Sequence, residues 1–424
     1  MIGVFFQKLT LVVKDVTLRK RILFMLGALI VFRILATIPI PGVDIARLDQ
    51  FFANNQFLGL LNIFSGGGLA NLSIVMLGVG PFITSSIIMQ LLTVLSPRMK
   101  AIYQEEGEAG RMKFTQWSRY LTVPLAFMQA FAFLSLLQQN GIVPPLEFAM
   151  MMTNVLVIAT GSILLMWIGE LITEFGIGNG VSLLIFAGIV ASLPSVLGQL
   201  IFTFDVSQAP LYLGFLLATV AVIAGVVFIT EAERPIPITY ARQSRGSKQS
   251  GGISTYLPLR VNQAGVIPII FALSILLFPQ VAATFLGTSS IAGVANVANA
   301  IVDGLANQWI YGGLYFLMVF AFTYFYTAMT FDPNRIADNL QKSGAFIPGV
   351  RPGAQTSEHV GNILTRITLI GALFLGTIAV LPVIMQGITG ITSLTIGGTA
   401  LLIAVSVVLD IVKRIEAQIS IREY

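Results

Sequence analysis

Apolar stretches about as long as a bilayer is thick recur along the whole chain, and they limit its fold more than any other feature. A window of roughly 20 apolar residues, wound as an α-helix, crosses the hydrocarbon core of a membrane. The composition agrees, because 56% of the residues are hydrophobic and 10% are charged, with a mean hydropathy of +0.87. A soluble domain does not tolerate so much apolar surface. The sequence therefore predicts an all-α polytopic membrane protein.

Ten such windows predict ten transmembrane helices. In chain order they cover residues 22–40, 72–95, 119–137, 151–172, 181–203, 211–230, 264–281, 311–330, 363–385 and 394–412. Because ten is an even number, we expect both ends of the chain on the same side of the membrane. The basic N-terminus precedes the first window without a small-residue cleavage site, so we expect the first span to be retained.

The Lys and Arg residues give an independent test of this topology, because membrane proteins concentrate them in cytoplasmic segments. With ten spans, all of the 24 basic residues except Arg33 and Arg47 fall on one face of the membrane. They lie in the two termini, in the 96–119, 231–263 and 332–362 loops, and at the boundary residue Arg366. The sequence therefore predicts that the N- and C-termini are both cytoplasmic.

Two short sequence motifs, which we call the first and the second repeated word, each recur five spans apart. "GVGPFI" at 78–83 returns as "GVIPII" at 265–270, and "GVSLLI" at 180–185 returns as "GTALLI" at 398–403. An odd offset reverses the orientation of a span, so the repeat predicts two inverted five-helix halves, 1–205 and 206–424, with the working site at their interface near the bilayer midplane. Apolar words can also recur by chance, but two matches at one offset argue against that reading.

Several function classes lack the residues they need. The chain has no cysteine and one histidine, His359, so thiol chemistry, thiolate metal sites and imidazole clusters are excluded. No phosphate-binding loop, zinc-protease motif or serine with a plausible base is found, and we expect no catalytic residue, metal or cofactor. Arg33 and Glu170 are the ionisable residues well inside the predicted spans, whereas ion-coupled carriers usually need buried carboxylates or histidines.

The segment "FLGLLNIFSGGG" at 57–68 is apolar but too short to cross a bilayer. Its first part has the length of about two helical turns, and Gly66, Gly67 and Gly68 allow the chain to fold back and to move. Such a half-helix suits a gate. The alternative is a re-entrant segment that only packs against its neighbours.

Two predicted cytoplasmic loops have turn chemistry beyond what topology requires. Residues 234–262 are basic, with β-branched and aromatic residues on either side of a Gly/Ser tip, which is typical of a protruding hairpin. In "FIPGVRPGAQT" (346–356), prolines and glycines present Arg351 on an extended tip. The predicted contacts are Arg242, Arg245, Lys248 and Arg351, which would dock an acidic or nucleic-acid-rich partner. The alternative is that the charges only enforce topology.

Several long motifs, in a fixed order over essentially the whole chain, resemble the SecY family of bacterial protein-translocation channels. They include "IPIPGVD" (38–44), "GVGPFITSSIIMQLL" (78–92), "NQAGVIPIIF" (262–271) and "FIPGVRPG" (346–353). The resemblance implies a pore in the bacterial cytoplasmic membrane that conducts unfolded polypeptide. It also implies SecE-like and SecG-like membrane subunits, a SecA-type motor ATPase or the ribosome as the driver, and signal peptides and nascent chains as clients.

The resemblance assigns roles to residues that match the family's motifs. The implied pore ring is Ile83, Ile87, Ile185, Ile189, Ile270 and Ile403. The implied plug, about residues 57–70, includes Leu60, Asn62, Ile63, Phe64, Gly66, Gly67 and Gly68. The implied lateral gate, through which apolar segments would pass into lipid, includes Ser86, Gln90, Gln129, Ser274 and Phe278.

Two rival functions remain at the level of the sequence. A secondary transporter of a small solute also uses inverted repeats and broken helices, but it needs polar ligands that converge near mid-membrane. An intramembrane enzyme is disfavoured because catalytic groups are missing. A polypeptide pore instead requires an apolar constriction with water on both sides.

Overall fold

The computed structural model describes residues 15–41, 68–69, 71–104, 106–139, 141, 143–202, 209–240, 243–245, 248–250, 254–286, 292–389 and 398–420. The fold is mostly helical, at 79%. The described helices are α1 (Val16–Leu35), α2 (Gly80–Leu95), α3 (Pro97–Gln104), α4 (Gly107–Gln139), α5 (Phe148–Phe175), α6 (Gly180–Phe202), α7 (Ala209–Glu231), α8 (Ile267–Leu286), α9 (Ala292–Ala306), α10 (Gln308–Thr330), α11 (Pro333–Lys342), α12 (Ala354–Thr389) and α13 (Gly398–Ser420). The described strands are β1 (Glu233–Tyr240), β2 (Gln243–Arg245), β3 (Lys248–Ser250), β4 (Ser254–Arg260) and β5 (Ala345–Phe346).

Each predicted span overlaps one described helix, namely α1, α2, α4, α5, α6, α7, α8, α10, α12 or α13. Within the described residues, five helices are long and apolar enough to cross a membrane. The pair α2 and α3, bent by 116° at Ser96, would make a sixth. The structure therefore supports several apolar spans, and the count of ten stays a prediction.

The helices extend beyond the predicted spans where the sequence becomes charged. The 96–119 region, expected as a loop, instead contains α3 and the first turns of α4. Hydropathy windows end at charged residues, whereas Glu, Arg, Lys and Met are good helix formers and let the helix continue. Lys113 Nζ lies 2.9 Å from Glu106 Oε2 at the start of α4. For the same reason α12 begins before its predicted span and α13 ends after it.

Helices from both predicted halves bury one shared apolar cluster, which we call the central cluster. It contains buried residues of α2 and α6 together with residues of α8, α10, α12 and α13. Helix α8 packs against α2 and α4, and α13 packs against α6 and α7. A second cluster joins α4 and α5 to Leu69, Leu72 and Met76. The central cluster is therefore where helices of the two predicted halves meet.

The predicted hairpin in the 231–263 loop is confirmed. Strand β1 pairs antiparallel with β4, from Glu233 opposite Arg260 to Thr239 opposite Ser254. Strand β5, from the 332–362 region, joins the other edge of β1 and completes a sheet in the order β4-β1-β5. Ile236 and Leu259 of this sheet share a buried cluster with Val360 of α12. The two predicted docking loops therefore form one packed unit.

Candidate channel constriction

The first repeated word folds into the same turn in both of its copies. Gly78 and Gly265 have φ angles of 57° and 61°, a left-handed conformation that favours glycine. Each lies two residues before a helix, α2 or α8, whose second residue is a proline. Proline fits there because the first turn of a helix needs no amide hydrogen from it. The repeat thus sets the start of two helices in the same way.

Because these two helices start identically, they present equivalent isoleucines. Ile83 and Ile270 are each the fourth residue of their helix. The N–H of Ile83 donates to the carbonyl of Val79 at 3.0 Å. The N–H of Ile270 donates to the carbonyl of Val266 at 3.3 Å. Both side chains are buried in the central cluster.

The second repeated word places a glycine at the first residue of a helix in both copies. Gly180 begins α6 and Gly398 begins α13, so Ile185 and Ile403 are each the sixth residue of their helix. Both isoleucines are 1% exposed. At Gly180 the backbone of α6 comes against α5, because an added Cβ would lie 1.9 Å from the carbonyl oxygen of Gly169. The Gly180 N–H donates to Thr173 Oγ1 at 2.8 Å, which fixes this turn.

All six isoleucines of the implied ring are buried in the central cluster. Their exposed fractions run from 1% to 9%. They come from four helices, as Ile83 and Ile87 on α2, Ile185 and Ile189 on α6, Ile270 on α8, and Ile403 on α13. The structure brings the six together in one apolar cluster, and their role as a constriction stays a prediction.

The implied lateral-gate residues lie on α2, α4 and α8, and α8 packs against both of the other helices. Ser86 and Gln90 on α2, Gln129 on α4 and Ser274 on α8 are half-buried. Phe278 belongs to α8, but its side chain lies outside the described part of the chain. The amide of Gln129 donates to Thr84 Oγ1 at 3.4 Å, which links α4 to α2.

Between α2 and α10, the structure describes a long contact of a hydroxyl group with a sulfur atom. Thr93 Oγ1 lies 4.0 Å from Met329 Sδ. Gln90 Oε1 is buried without a hydrogen-bond partner among the described residues. No local pattern indicates the contact of Thr93 with Met329, because the two residues are 236 positions apart. The described contact between α2 and α10 is thus a weak one.

Most of the implied plug lies outside the described residues, namely Leu60, Asn62, Ile63, Phe64, Gly66 and Gly67. Gly68 is described and buried. Just after it, Leu69 and Leu72 pack into the cluster of α4 and α5. The N–H of Ile40 donates to the Leu72 carbonyl at 2.8 Å, so the "IPIPGVD" motif holds the chain that follows the glycines.

The predicted docking residues differ in how far the structure describes them. Arg242 lies outside the described residues. Arg245 of β2 stands opposite Lys248 of β3 in the strand register. The side chains of these two residues are not described. Arg351 is exposed, between Gly349 and Gly353, both of which have positive φ. Its carbonyl accepts a hydrogen bond from Thr356 Oγ1 at 2.9 Å. The tip that carries Arg351 is therefore fixed in position.

Charged residues within the described chain form ion pairs between helices. Arg119 of α4 lies 2.6 Å from Glu170 of α5. Lys413 of α13 lies 2.8 Å from Glu231 of α7. In the same part of the chain, no group of three His, Cys, Asp or Glu residues could hold a metal ion. Glu170 is thus explained by its pairing with Arg119.

Comparison with known proteins gives one consistent family. The SecY family model matches residues 73–412. The protein translocase subunit SecY of Streptomyces scabiei is 41% identical, over 97% of each chain. The protein of the same name from Mycobacterium tuberculosis strain H37Rv is 42% identical, also over 97% of each chain.

Solved structures show the same fold at lower identity. A structure of a protein-conducting channel has a TM-score of 0.67 and 20% identity, and the match covers 96% of this chain and 93% of that one. Sec61 in a canine ribosome–channel complex from the endoplasmic reticulum has a TM-score of 0.63 and 19% identity, with the same coverage. On its match to the family model and to full-length relatives, this chain belongs to the SecY family.

Proposed function

We propose that this chain is the pore-forming subunit of a channel that passes unfolded polypeptides across the bacterial cytoplasmic membrane. It also releases apolar segments sideways into the lipid. Its full-length relatives are protein translocase subunits. The observation that carries the proposal is the central cluster, in which both copies of the repeat contribute buried isoleucines from four helices.

The proposed architecture has ten spans in two inverted halves, 1–205 and 206–424, with both termini in the cytoplasm. Three observations support it. Ten described helices overlap the ten predicted windows, Gly78 and Gly265 make the same turn, and almost all basic residues fall on one predicted face. The sheet β4-β1-β5 then lies in the cytoplasm, beside Arg351.

The proposed seal is a dry constriction. A narrow ring of isoleucines excludes water, because water gains too few hydrogen bonds between apolar walls, and ions cannot cross without water. An extended polypeptide can pass because aliphatic side chains move aside without breaking any polar contact. The segment of about residues 57–70 would plug the outer side of the ring at rest.

The lateral gate would open between α2 and α4 on one side and α8 and α10 on the other. Single polar contacts, such as Gln129 with Thr84, hold helices on the same side of the gate. Across the gate, the described polar contact is that of Thr93 with Met329. Small and half-buried side chains such as Ser86 and Ser274 keep helices close but separable.

The channel itself would be passive. A SecA-type motor ATPase or the ribosome would push the polypeptide, and SecE-like and SecG-like subunits would complete the complex. The packed cytoplasmic unit of β1, β4, β5 and α12 would receive the motor or the ribosome through Arg242, Arg245, Lys248 and Arg351. A solute transporter is the weaker alternative, because it needs converging polar ligands and the central cluster is apolar.

Translocation into sealed vesicles tests this function. We expect vesicles that contain the purified complex, supplied with the motor ATPase and ATP, to protect a signal-bearing polypeptide from added protease. Arg351→Glu should lower the apparent affinity for the motor about tenfold, since reversing one contact charge costs about 1.4 kcal/mol. The difference in motor affinity between this variant and the unaltered chain should shrink at high salt, because salt screens exposed charges.

A matched control is Arg335→Glu, which reverses an exposed charge on α11 outside the predicted docking set. It should translocate like the unaltered chain. Vesicles that protect no polypeptide would contradict the proposed function. Equal motor affinity of the Arg351 and Arg335 variants at low salt would contradict the docking role of Arg351. It would leave the proposed channel function unaffected.

A further inference from the structure

Helix α9 (Ala292–Ala306) has no counterpart among the predicted spans. It packs against α8 and α10. Ala298 faces this packing and is 2% exposed. One residue, Asn307, separates α9 from α10. The Asn307 side chain accepts a hydrogen bond from the N–H of Trp309 at 3.0 Å and caps α10. The position of α9 is therefore set by the end of a long apolar helix.

The exposed surface of α9 has two different flanks. Val297 is 62% exposed and Ile301 is 41% exposed. They are four residues apart, so they lie on the same side of the helix. Asn299 is exposed as well, and at 100° per residue it lies on the opposite flank from both of them. Asn296 adds a second exposed amide on the polar side.

Helix α10, which follows α9 after one residue, also exposes large apolar side chains. Trp309, at the start of α10, is 64% exposed, and Ile310 and Leu317 are 54% and 59% exposed. Ile310 and Leu317 are seven residues apart and share one face of the helix. The segment Gln308–Lys342 is long and apolar enough to cross a membrane, and in such a span this exposed face would meet lipid. Tryptophan at the end of a span is typical of the membrane–water interface.

We propose that α9 lies in the outer-leaflet interface, with Val297 and Ile301 inserted among lipid acyl chains and Asn296 and Asn299 in water. The assignment to the outer leaflet rests on the proposed topology. An amphipathic helix lies in the plane of the interface in this way, with its apolar side towards the acyl chains. Because α9 packs on α8, a helix of the proposed lateral gate, it ties the outer end of that gate to the lipid.

A lipid surface fits this flank better than a protein partner does. A stable protein interface buries about 800 Å² on each side, whereas the apolar flank of α9 offers two large side chains. An interfacial helix needs no such area, since each inserted side chain contributes separately. The flank also lies on a helix that ends one residue before α10, whose segment is long and apolar enough to cross a membrane.

Fluorescence quenching tests the proposal directly, because the chain has no native cysteine. Single cysteines at Val297→Cys, Ile301→Cys, Asn299→Cys and Leu317→Cys would carry a polarity-sensitive dye. The complex would be placed in phosphatidylethanolamine–phosphatidylglycerol vesicles. We expect brominated acyl chains to quench the dye at 297 and 301 several-fold more than at 299. Aqueous iodide should give the reverse order, and position 317 should respond to brominated lipid alone.

All four positions are exposed, so labelling is not expected to disturb the core. Iodide quenching at 297 and 301 equal to that at 299 would overturn the proposal. Protection of 297 and 301 from both quenchers would also overturn it, since a protein would then cover the flank. These outcomes are independent of polypeptide transport, so a failure here leaves the translocation test of the channel unaffected.

Discussion

Replacing Ile83, Ile185 and Ile270 together by Asn is expected to make the resting channel conduct ions. The three side chains are buried in the central cluster and come from three helices of both halves. Polar amides would stabilise water inside the proposed constriction and lower its dewetting barrier. If the barrier falls by about 3 kcal/mol, conductance should rise roughly a hundredfold. Single-channel recording in planar bilayers measures this directly.

The matched control replaces the same three residues by Val. Each Ile→Val change costs about 1 kcal/mol of stability but keeps the site apolar, so the control should stay sealed. Both variants should first elute as the intact complex in size-exclusion chromatography, so that unfolding is not mistaken for a leak. Equal, low conductance of the folded Asn and Val variants would show that these residues do not form the seal.

Gly180→Ala is expected to leave most of the protein molecules without a stable fold. The new Cβ would lie 1.9 Å from the carbonyl oxygen of Gly169 and 2.8 Å from Ile172 Cβ. Neither atom is the end of a flexible side chain, so α6 would have to move away from α5. Such overpacking should cost about 3 kcal/mol or more. It would also shift Ile185, which α6 carries into the central cluster.

The control is Gly27→Ala, at an exposed position in α1 where an added Cβ meets nothing within 4 Å. Alanine favours helix over glycine by about 1 kcal/mol, so this variant should be slightly more stable. Thermal unfolding in detergent, followed by the fraction that remains monodisperse, compares the two. If both variants unfold at the temperature of the unaltered chain, the close approach of α5 and α6 is wrong.

The apolar windows of the sequence mark where the helices lie but not where they end. A window of apolar residues marks where a helix can meet lipid, and every window overlaps a described helix. It says nothing about a helix that continues into water, as α4 does before residue 119. It also missed α9, whose many Ala, Gly and Asn residues give it too few large apolar side chains.

The candidate site was partly predictable because it repeats. The words around Ile83, Ile185, Ile270 and Ile403 recur in sequence, and in the structure each pair occupies equivalent helix positions. The joining of the two cytoplasmic loops was not predictable. Thr239 pairs with Phe346 more than a hundred residues away, and no local pattern indicates such a long-range pairing. The same is true of the ion pair between Glu170 and Arg119, which lie 51 positions apart.

Cross-linking of a polypeptide stalled in transit tests the central claim most directly. Single cysteines would be placed at Ile87, Ile189 and Ile403, and at Leu317 as an exposed control on α10. A polypeptide arrested by a folded domain at its end would carry one cysteine within its extended part. We expect disulfide formation with the first three positions and not with position 317. No cross-link at the three isoleucines, with transport otherwise intact, would contradict a polypeptide pore lined by the central cluster.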